Sequence, residues 1–327
     1  MTLLEAQNLT KHFPLRRGLF GADPGAVRAV DGVSFTIEAG RTLGVLGESG
    51  SGKTTLALTI LRLLPPAARI VSGAMRFDGE DLLAKSPAEM RRIRGKRIAM
   101  ILQDPMASLN PLFTVGDQVG EGVRVHEHVT RRSARERAGA LLRAVRIPAP
   151  AQRMGEYPHQ MSGGMRQRIV GAIAISCGPQ LLIADEPTTS LDVTIQAQYL
   201  KLLRDIQREH GLALIFITHN LGIVARMCDN VAVMYAGRVI ESGKVRQIFS
   251  APAHPYTRAL IESIPRLGGG PARLTAIDGQ PPDLAVLPPG CSFQVRCPRV
   301  MDRCRVQEPP AFDVGVGTDH TARCWLV

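Results

Sequence analysis

Residues 42–55 read Thr42-Leu43-Gly44-Val45-Leu46-Gly47-Glu48-Ser49-Gly50-Ser51-Gly52-Lys53-Thr54-Thr55: an apolar strand, a glycine-rich turn and a helix start. Glycine at 47, 50 and 52 allows successive backbone N–H groups to converge on the β- and γ-phosphates of a nucleotide. Lys53 adds positive charge at the same point, and the Thr54 hydroxyl suits Mg²⁺. A chance glycine-rich turn would not come with both the strand before it and the helix after it.

The chain around this stretch keeps an α/β rhythm. The helix is predicted from Lys53 through Leu64, where Pro65-Pro66 stops it. Before it, the early segment alternates short strands and loops. After it come further apolar strands: Ile98 to Leu102, Leu181 to Ala184, Leu212 to Thr218 and Val231 to Tyr235. Such runs, alternating with helices, predict a mostly parallel sheet covered on both faces. Ile195, Tyr199, Leu202, Leu203 and Ile206 recur on one face of a helix. From Asn110 to about Ser176 the pattern is helical, broken at Pro148, Pro150 and Pro158, so the insertion between Gln103 and Leu181 reads as a helical subdomain. After Pro252 the composition changes. His254-Pro255-Tyr256-Thr257 opens a short helix, Gly268-Gly269-Gly270-Pro271 marks a joint, and the proline-rich tail reads as a separate small module.

Several polar residues fall at strand ends, where a parallel sheet places its ligand. Asp185 can hold the Mg²⁺ shell, and Glu186 can polarise an attacking water as general base. His219 can donate to a γ-phosphate from neutral imidazole, and Gln103 can reach Mg²⁺ or the water. Met161-Ser162-Gly163-Gly164-Met165-Arg166-Gln167-Arg168 opens a second helix on paired glycines, with free N–H groups and a partial positive charge. Ser162 alone would be an ordinary N-cap. Two anion-holding helix starts in one chain suggest one nucleotide gripped from two sides by two copies of one surface.

Composition narrows the class. The 327 residues carry a net charge of +11, which suits nucleic acid, anionic headgroups or phosphorylated ligands. Aromatic residues make up 4%, with no basic–aromatic interleaving, which argues against a base-stacking platform. Arg131-Arg132-Ser133-Ala134-Arg135-Glu136-Arg137 reads as the solvated face of a helix. Neither a signal peptide nor a membrane-length apolar run is evident, so the expectation is a cytosolic chain that meets a membrane through partners. Of the six cysteines, Cys177 and Cys228 fall in apolar helical stretches as core residues. Cys291, Cys297, Cys304 and Cys324 gather in the tail, a donor set suited to iron–sulfur or zinc, or else free structural thiols; no C-x₂-C pair marks a zinc knuckle.

Taken in order, these motifs resemble the ATP-binding subunits of ABC transporters, over about residues 1–250. Gly47 to Thr54 is similar to the Walker A loop, Gln103 to the Q-loop and Ser162 to Met165 to the signature motif. Leu181 to Glu186 resembles the Walker B strand, Ser190-Leu191-Asp192 the D-loop and His219 the switch histidine. Ile183 to Gln198, Gln103 to Pro111 and His254-Pro255-Tyr256-Thr257 resemble the oligopeptide/dipeptide importer branch. Met161 in place of leucine, Ser190 of alanine and Asn220 of aspartate depart from that pattern without removing a catalytic group.

The resemblance implies an α/β, P-loop NTPase (RecA-like) core with an ABC β-subdomain and a helical subdomain (about 104–176) within residues 1–250. A small cysteine-containing extension over 251–327 follows. It implies ATP and Mg²⁺ as ligands: Gly47, Glu48, Ser49, Gly50, Ser51, Gly52, Lys53, Thr54 and Thr55 on the phosphates, and Phe13, with Phe20 as its competitor, on adenine. Thr54, Gln103 and Asp185 fall to Mg²⁺; Glu186, His219 and Gln103 to catalysis. Ser162, Gly163, Gly164, Met165 and Asp192 fall to the nucleotide of a second ABC ATPase subunit, copy or paralogue, in a head-to-tail dimer. Some relatives hold a [4Fe–4S] cluster in their extension, which would fall to Cys291, Cys297, Cys304 and Cys324. The implied function is ATP hydrolysis at the cytoplasmic face of the membrane, driving import of di- or oligopeptides through two permease subunits fed by an extracytoplasmic binding protein, with no nucleic acid. Nickel or another small solute is the alternative cargo. A soluble ABC ATPase acting on nucleic acid or ribosomes is the rival class; such proteins usually join two cassettes or carry coiled-coil or zinc insertions, and this chain has neither. A degenerate, binding-only ATPase is opposed by the intact Lys53, Asp185, Glu186 and His219.

Overall fold

The computed structural model describes residues 1–15, 25–65, 67–189, 191–264, 277–315 and 317–327. Phe20, Ser190 and the Gly268–Pro271 joint lie outside the described residues. The described strands are β1 (Thr2–Pro14), β2 (Ala26–Glu38), β3 (Thr42–Leu46), β4 (Arg69–Phe77), β5 (Glu80–Asp81), β6 (Ile98–Ile101), β7 (Leu181–Asp185), β8 (Ala213–Thr218), β9 (Asn230–Tyr235), β10 (Arg238–Lys244), β11 (Phe312–Asp313) and β12 (Thr321–Ala322). The chain divides into two compact units: Met1, Glu38–Arg41 and Ala84–Phe216 in one, and Thr2–Ile37, Thr42–Leu83 and Ile217–Val327 in the other.

In the first unit β6 pairs parallel with β7, Ile98 opposite Leu181 and Ile101 opposite Ala184. The stretch expected to be helical is helical, with helices Val115–Glu127, Arg131–Ala144 and Gly163–Ile175. Two of them start on threonine caps: Thr114 accepts from Asp117 N and Thr130 from Ser133 N. The arginine-rich run is indeed a solvated face, where Arg132 pairs with Glu136 one turn on and Arg137 with Glu127. The helix Val193–His210 buries Tyr199, Leu202, Leu203 and Ile206 as expected, and ends at Gly211 in the left-handed conformation.

The second unit departs more from the expectation. Instead of short strands, β1 and β2 run 13 residues each. They lie in a four-stranded sheet ordered β2-β1-β4-β5, with β1–β4 and β4–β5 antiparallel. The helix after the glycine turn ends at Ile60, not Leu64. Leu61 caps it with N–H bonds to Ala57 O and Thr59 O, and Arg62 turns left-handed at φ 51°, so the helix stops before the prolines act. β3 pairs parallel with β9, whereas β9–β10, β10–β12 and β11–β12 are antiparallel, so this part of the sheet is mixed. Cys177 and Cys228 sit just past helix ends, half-buried, not inside the helices.

One core holds β3, β9, β10 and the tail together. Leu46, Val233, Tyr235, Ile240, Tyr256 and Phe293 are buried in it. Tyr235 and Tyr256 pack as a tilted pair with ring centroids 4.7 Å apart, and Phe293 meets both rings edge-on. His254, almost wholly buried, caps its own helix (Pro255–Glu262) by accepting from Tyr256 N at 3.0 Å through Nδ1. Burial pushes its pKa down to about 3, so the ring stays neutral and can accept. Glu241, buried in β10, accepts from Ala253 N at 2.7 Å, His254 N at 2.9 Å and His320 Nε2 at 2.7 Å.

That carboxylate satisfies three donors from two separate stretches of tail, residues 253–254 and His320. Glu241→Ala leaves them buried without an acceptor and is expected to lower unfolding free energy by about 3 kcal/mol, read by urea denaturation of the purified chain.

Candidate nucleotide-binding and hydrolysis site

β3 is buried along its whole length and delivers Gly47 into a turn that ends at the helix Lys53–Ile60. A side chain at Gly47 would strike the carbonyl of Met234, and one at Gly52 (φ +99°) the carbonyl of Ala29. The turn therefore tolerates only glycine at both places. Lys53 Nζ reaches back to Gly47 O and Glu48 O, both at 2.8 Å, which sets a buried cation inside the turn. Ser51 Oγ is buried and has no hydrogen-bond partner among the described residues. A concave turn with an ammonium, an unspent hydroxyl and a helix N-terminus fits a phosphate group. The exposed Thr54 hydroxyl and the buried Asp185 carboxylate are hard oxygen donors of the kind Mg²⁺ takes. Glu48 is occupied elsewhere: its carboxylate takes Arg296 Nη1 at 2.8 Å and Nη2 at 3.1 Å.

Phe13 lies half-buried near the end of β1, and His219 is exposed just after β8, both in this second unit. Asp192 accepts from Thr194 N and Ile195 N at 3.0 and 2.9 Å, capping the helix Val193–His210 in the first unit.

The same unit assembles the acidic residues. Asp185 ends β7, 1% exposed, and Glu186 follows with a left-handed φ of 44°. That sharp turn presents Glu186 Oε2 to Thr189 Oγ1 at 2.9 Å and Gln103 Nε2 at 3.4 Å. Gln103, expected to end a strand and to reach Mg²⁺ or the water, lies just past β6 and donates to this carboxylate. Thr189 carries no motif of its own in the sequence and is marked there only by its place in the run Ile183 to Gln198.

At the second glycine-rich turn Ser162 is an N-cap, its Oγ accepting from Met165 N at 3.3 Å. The two glycines differ. Gly164 packs so closely on Ile195 that a Cβ would lie 2.8 Å from its Cγ2, while Gly163 faces open space. Arg166 and Arg168 brace the turn from within: Arg166 Nε donates to Pro158 O at 2.7 Å, and Arg168 Nη1 to Arg146 O at 2.9 Å.

The four tail cysteines line one small cavity with Phe293, Pro309 and Trp325. Burial, then the charges of Cys304, Cys297 and Cys324, pushes the Cys291 thiol up to about 11, and burial raises Cys297 and Cys324 as well. Among the described residues no three His, Cys, Asp or Glu side chains come together as a metal-holding group.

Comparison with known proteins agrees with this organisation. Residues 30–189 match the ABC transporter family, and residues 240–304 match the C-terminal region of oligopeptide/dipeptide transporters. A probable peptide ABC transporter ATP-binding protein of Sinorhizobium fredii is 49% identical, over 99% of this chain and 94% of its own. A dipeptide transport ATP-binding protein of Bacillus subtilis is 51% identical, over 92% and 90%. A bacterial ABC transporter cassette solved as a dimer superposes with a TM-score of 0.65 at 25% identity, over 75% of this chain and 99% of that one. The chain therefore belongs to the ATP-binding subunits of ABC transporters, in the oligopeptide/dipeptide branch, and has the mixed α/β fold of their ATPase cassette.

Proposed function

We propose that this ABC-type ATPase energises import of di- or oligopeptides, as a peripheral subunit on the cytoplasmic face of a membrane. The observation that carries the peptide reading is the match of residues 240–304, which runs from the end of the cassette into the extension and is described as the C-terminal region of oligopeptide/dipeptide transporters. No helix among the described residues is long and apolar enough to cross a membrane, which supports a role dependent on separate permease subunits. We assign residues 1–250 to the cassette, with its helical subdomain over about 104–176, and 251–327 to the extension.

The residue roles follow the chemistry. Lys53 and the amides of Gly47 to Thr55 receive the β- and γ-phosphates, and Phe13 stacks on adenine. Thr54, Gln103 and Asp185 are assigned to Mg²⁺, which when bound neutralises charge on the transferring phosphoryl group. Glu186 takes the proton of the attacking water, oriented by Gln103 and Thr189. His219 donates to the γ-phosphate. Ser162, Gly163, Gly164, Met165 and Asp192 address the nucleotide of a second ATPase subunit in a head-to-tail dimer. ATP binding closes the pair, hydrolysis and phosphate release reopen it, and the Gln103 loop with the helical subdomain passes the motion to two permeases served by an external binding protein.

Glu186→Gln is expected to keep ATP affinity within about twofold and to lose turnover by about 100-fold or more, read by nucleotide titration and phosphate release. In the native host, deletion of the gene should abolish uptake of a labelled dipeptide, restored by the wild-type copy and not by Glu186→Gln. Loss of labelled nickel uptake with peptide uptake intact would give the cargo to the alternative.

An iron–sulfur cluster on Cys291, Cys297, Cys304 and Cys324 is a proposal resting on the resemblance. Iron and sulfide analysis after anaerobic purification tests it. Stoichiometric amounts of both would carry it, and trace amounts would discard it.

A further inference from the structure

The tail is hydrogen-bonded to the nucleotide loop at Glu48. Glu48 lies between Gly47 and the rest of the turn, and both its backbone and its side chain are held from beyond residue 250. Its N–H donates to Tyr256 Oη at 3.0 Å, and its carboxylate accepts both terminal nitrogens of Arg296. The Arg296 side chain is 5% exposed. A guanidinium has five N–H donors in a rigid fork. Here each has an acceptor: Nε gives to Asp278 O at 3.0 Å, Nη1 to Glu48 and to Tyr235 Oη at 3.4 Å, and Nη2 to Glu48 and to Ile277 O at 3.2 Å. Its carbon also lies 5.8 Å from the Tyr235 ring centroid and 6.0 Å from that of Phe293. Nothing in ATP chemistry requires this arginine, because Lys53 already supplies the cation inside the turn. Its geometry is that of a fixed anchor.

We propose that Arg296 is a positioning residue for ATP binding, acting through Glu48: the tail holds the loop in its phosphate-receiving shape before the nucleotide arrives. A loop ordered in advance loses less freedom on binding, so the anchor raises affinity and leaves the chemical step alone. A merely structural arginine would alter melting temperature with no split between affinity and turnover. The inference rests on residues 47–55 being the nucleotide loop, and the experiment separates the two.

The test uses the full-length chain, a fluorescent ATP analogue with Mg²⁺ for affinity, and steady-state phosphate release for turnover. Arg296→Ala is expected to weaken nucleotide binding roughly tenfold, with kcat at saturating ATP within about twofold of wild type. Arg296→Lys, which keeps the charge without the fork, should fall between them. The double variant Arg296→Ala/Glu48→Ala should bind no more weakly than the worse single variant, because both remove one interaction. Should Arg296→Ala fail to fold, Arg296→Gln removes the charge and the fork with a smaller loss of volume and carries the same expectation. Wild-type affinity in these variants, or a lower kcat at unchanged affinity, overturns the positioning role. Lys53→Ala is the control: if it binds the analogue as wild type does, the assignment of the loop fails instead.

Discussion

The carbonyl groups of Met234 and Ala29 occupy the places where side chains at residues 47 and 52 would go, and the second unit is organised around that tight fit. Met234 belongs to β9 and Ala29 to β2, so two strands of different sheets close on one turn. The turn is closed in at both glycines, and Lys53 reaches back to the carbonyls of Gly47 and Glu48 within it. Neighbouring bonds extend the constraint: Gly237 N donates to Ser51 O, and Asp31 N to Gly237 O. A binding site made of backbone amides needs this kind of external support, because amides carry no rotamers with which to adjust.

The same logic explains why the tail belongs with the loop. Tyr235, the last residue of β9, is one residue from Met234 and is packed by the tilted ring of Tyr256 and the edge-on ring of Phe293. The strand that limits the turn is itself pinned by tail aromatics. Arg238 adds a second tie, pairing with Asp31 at 2.7 Å and with Glu308 of the tail.

How much of this was legible in the sequence depended on the range of the interaction responsible. The turn was legible because glycine and lysine at fixed offsets between a strand and a helix have few other uses. The helical insertion and the buried face of Val193–His210 were legible because a period of 3.6 is local. The end of the helix at Ile60 was not: Leu61 to Leu64 suit a helix, and only the left-handed turn at Arg62 stops it. The long β1 and β2 were missed because their buried positions follow neither a strict alternation nor a continuous apolar run, and β1 pairs with β4, distant in the sequence. Arg296 and Tyr256 were both in view, one between two noted cysteines and one in His254-Pro255-Tyr256-Thr257. What tied them to Glu48 was a pairing across about two hundred positions, which no local pattern encodes.

The second glycine turn makes a sharper point about which residues answer to the chain itself. Ser162 caps its own helix, the two arginines brace neighbouring backbone, and Gly164 is small because Ile195 leaves no room. Each of these would be required in an isolated subunit. Gly163 is different. It sits in the first turn of the helix with open space where a side chain would be, and glycine is among the poorest helix formers. Alanine there would strengthen the helix and touch nothing within the described chain. The bare surface at Gly163 leaves room for a group from outside the subunit, as the proposed shared nucleotide of a second subunit would require.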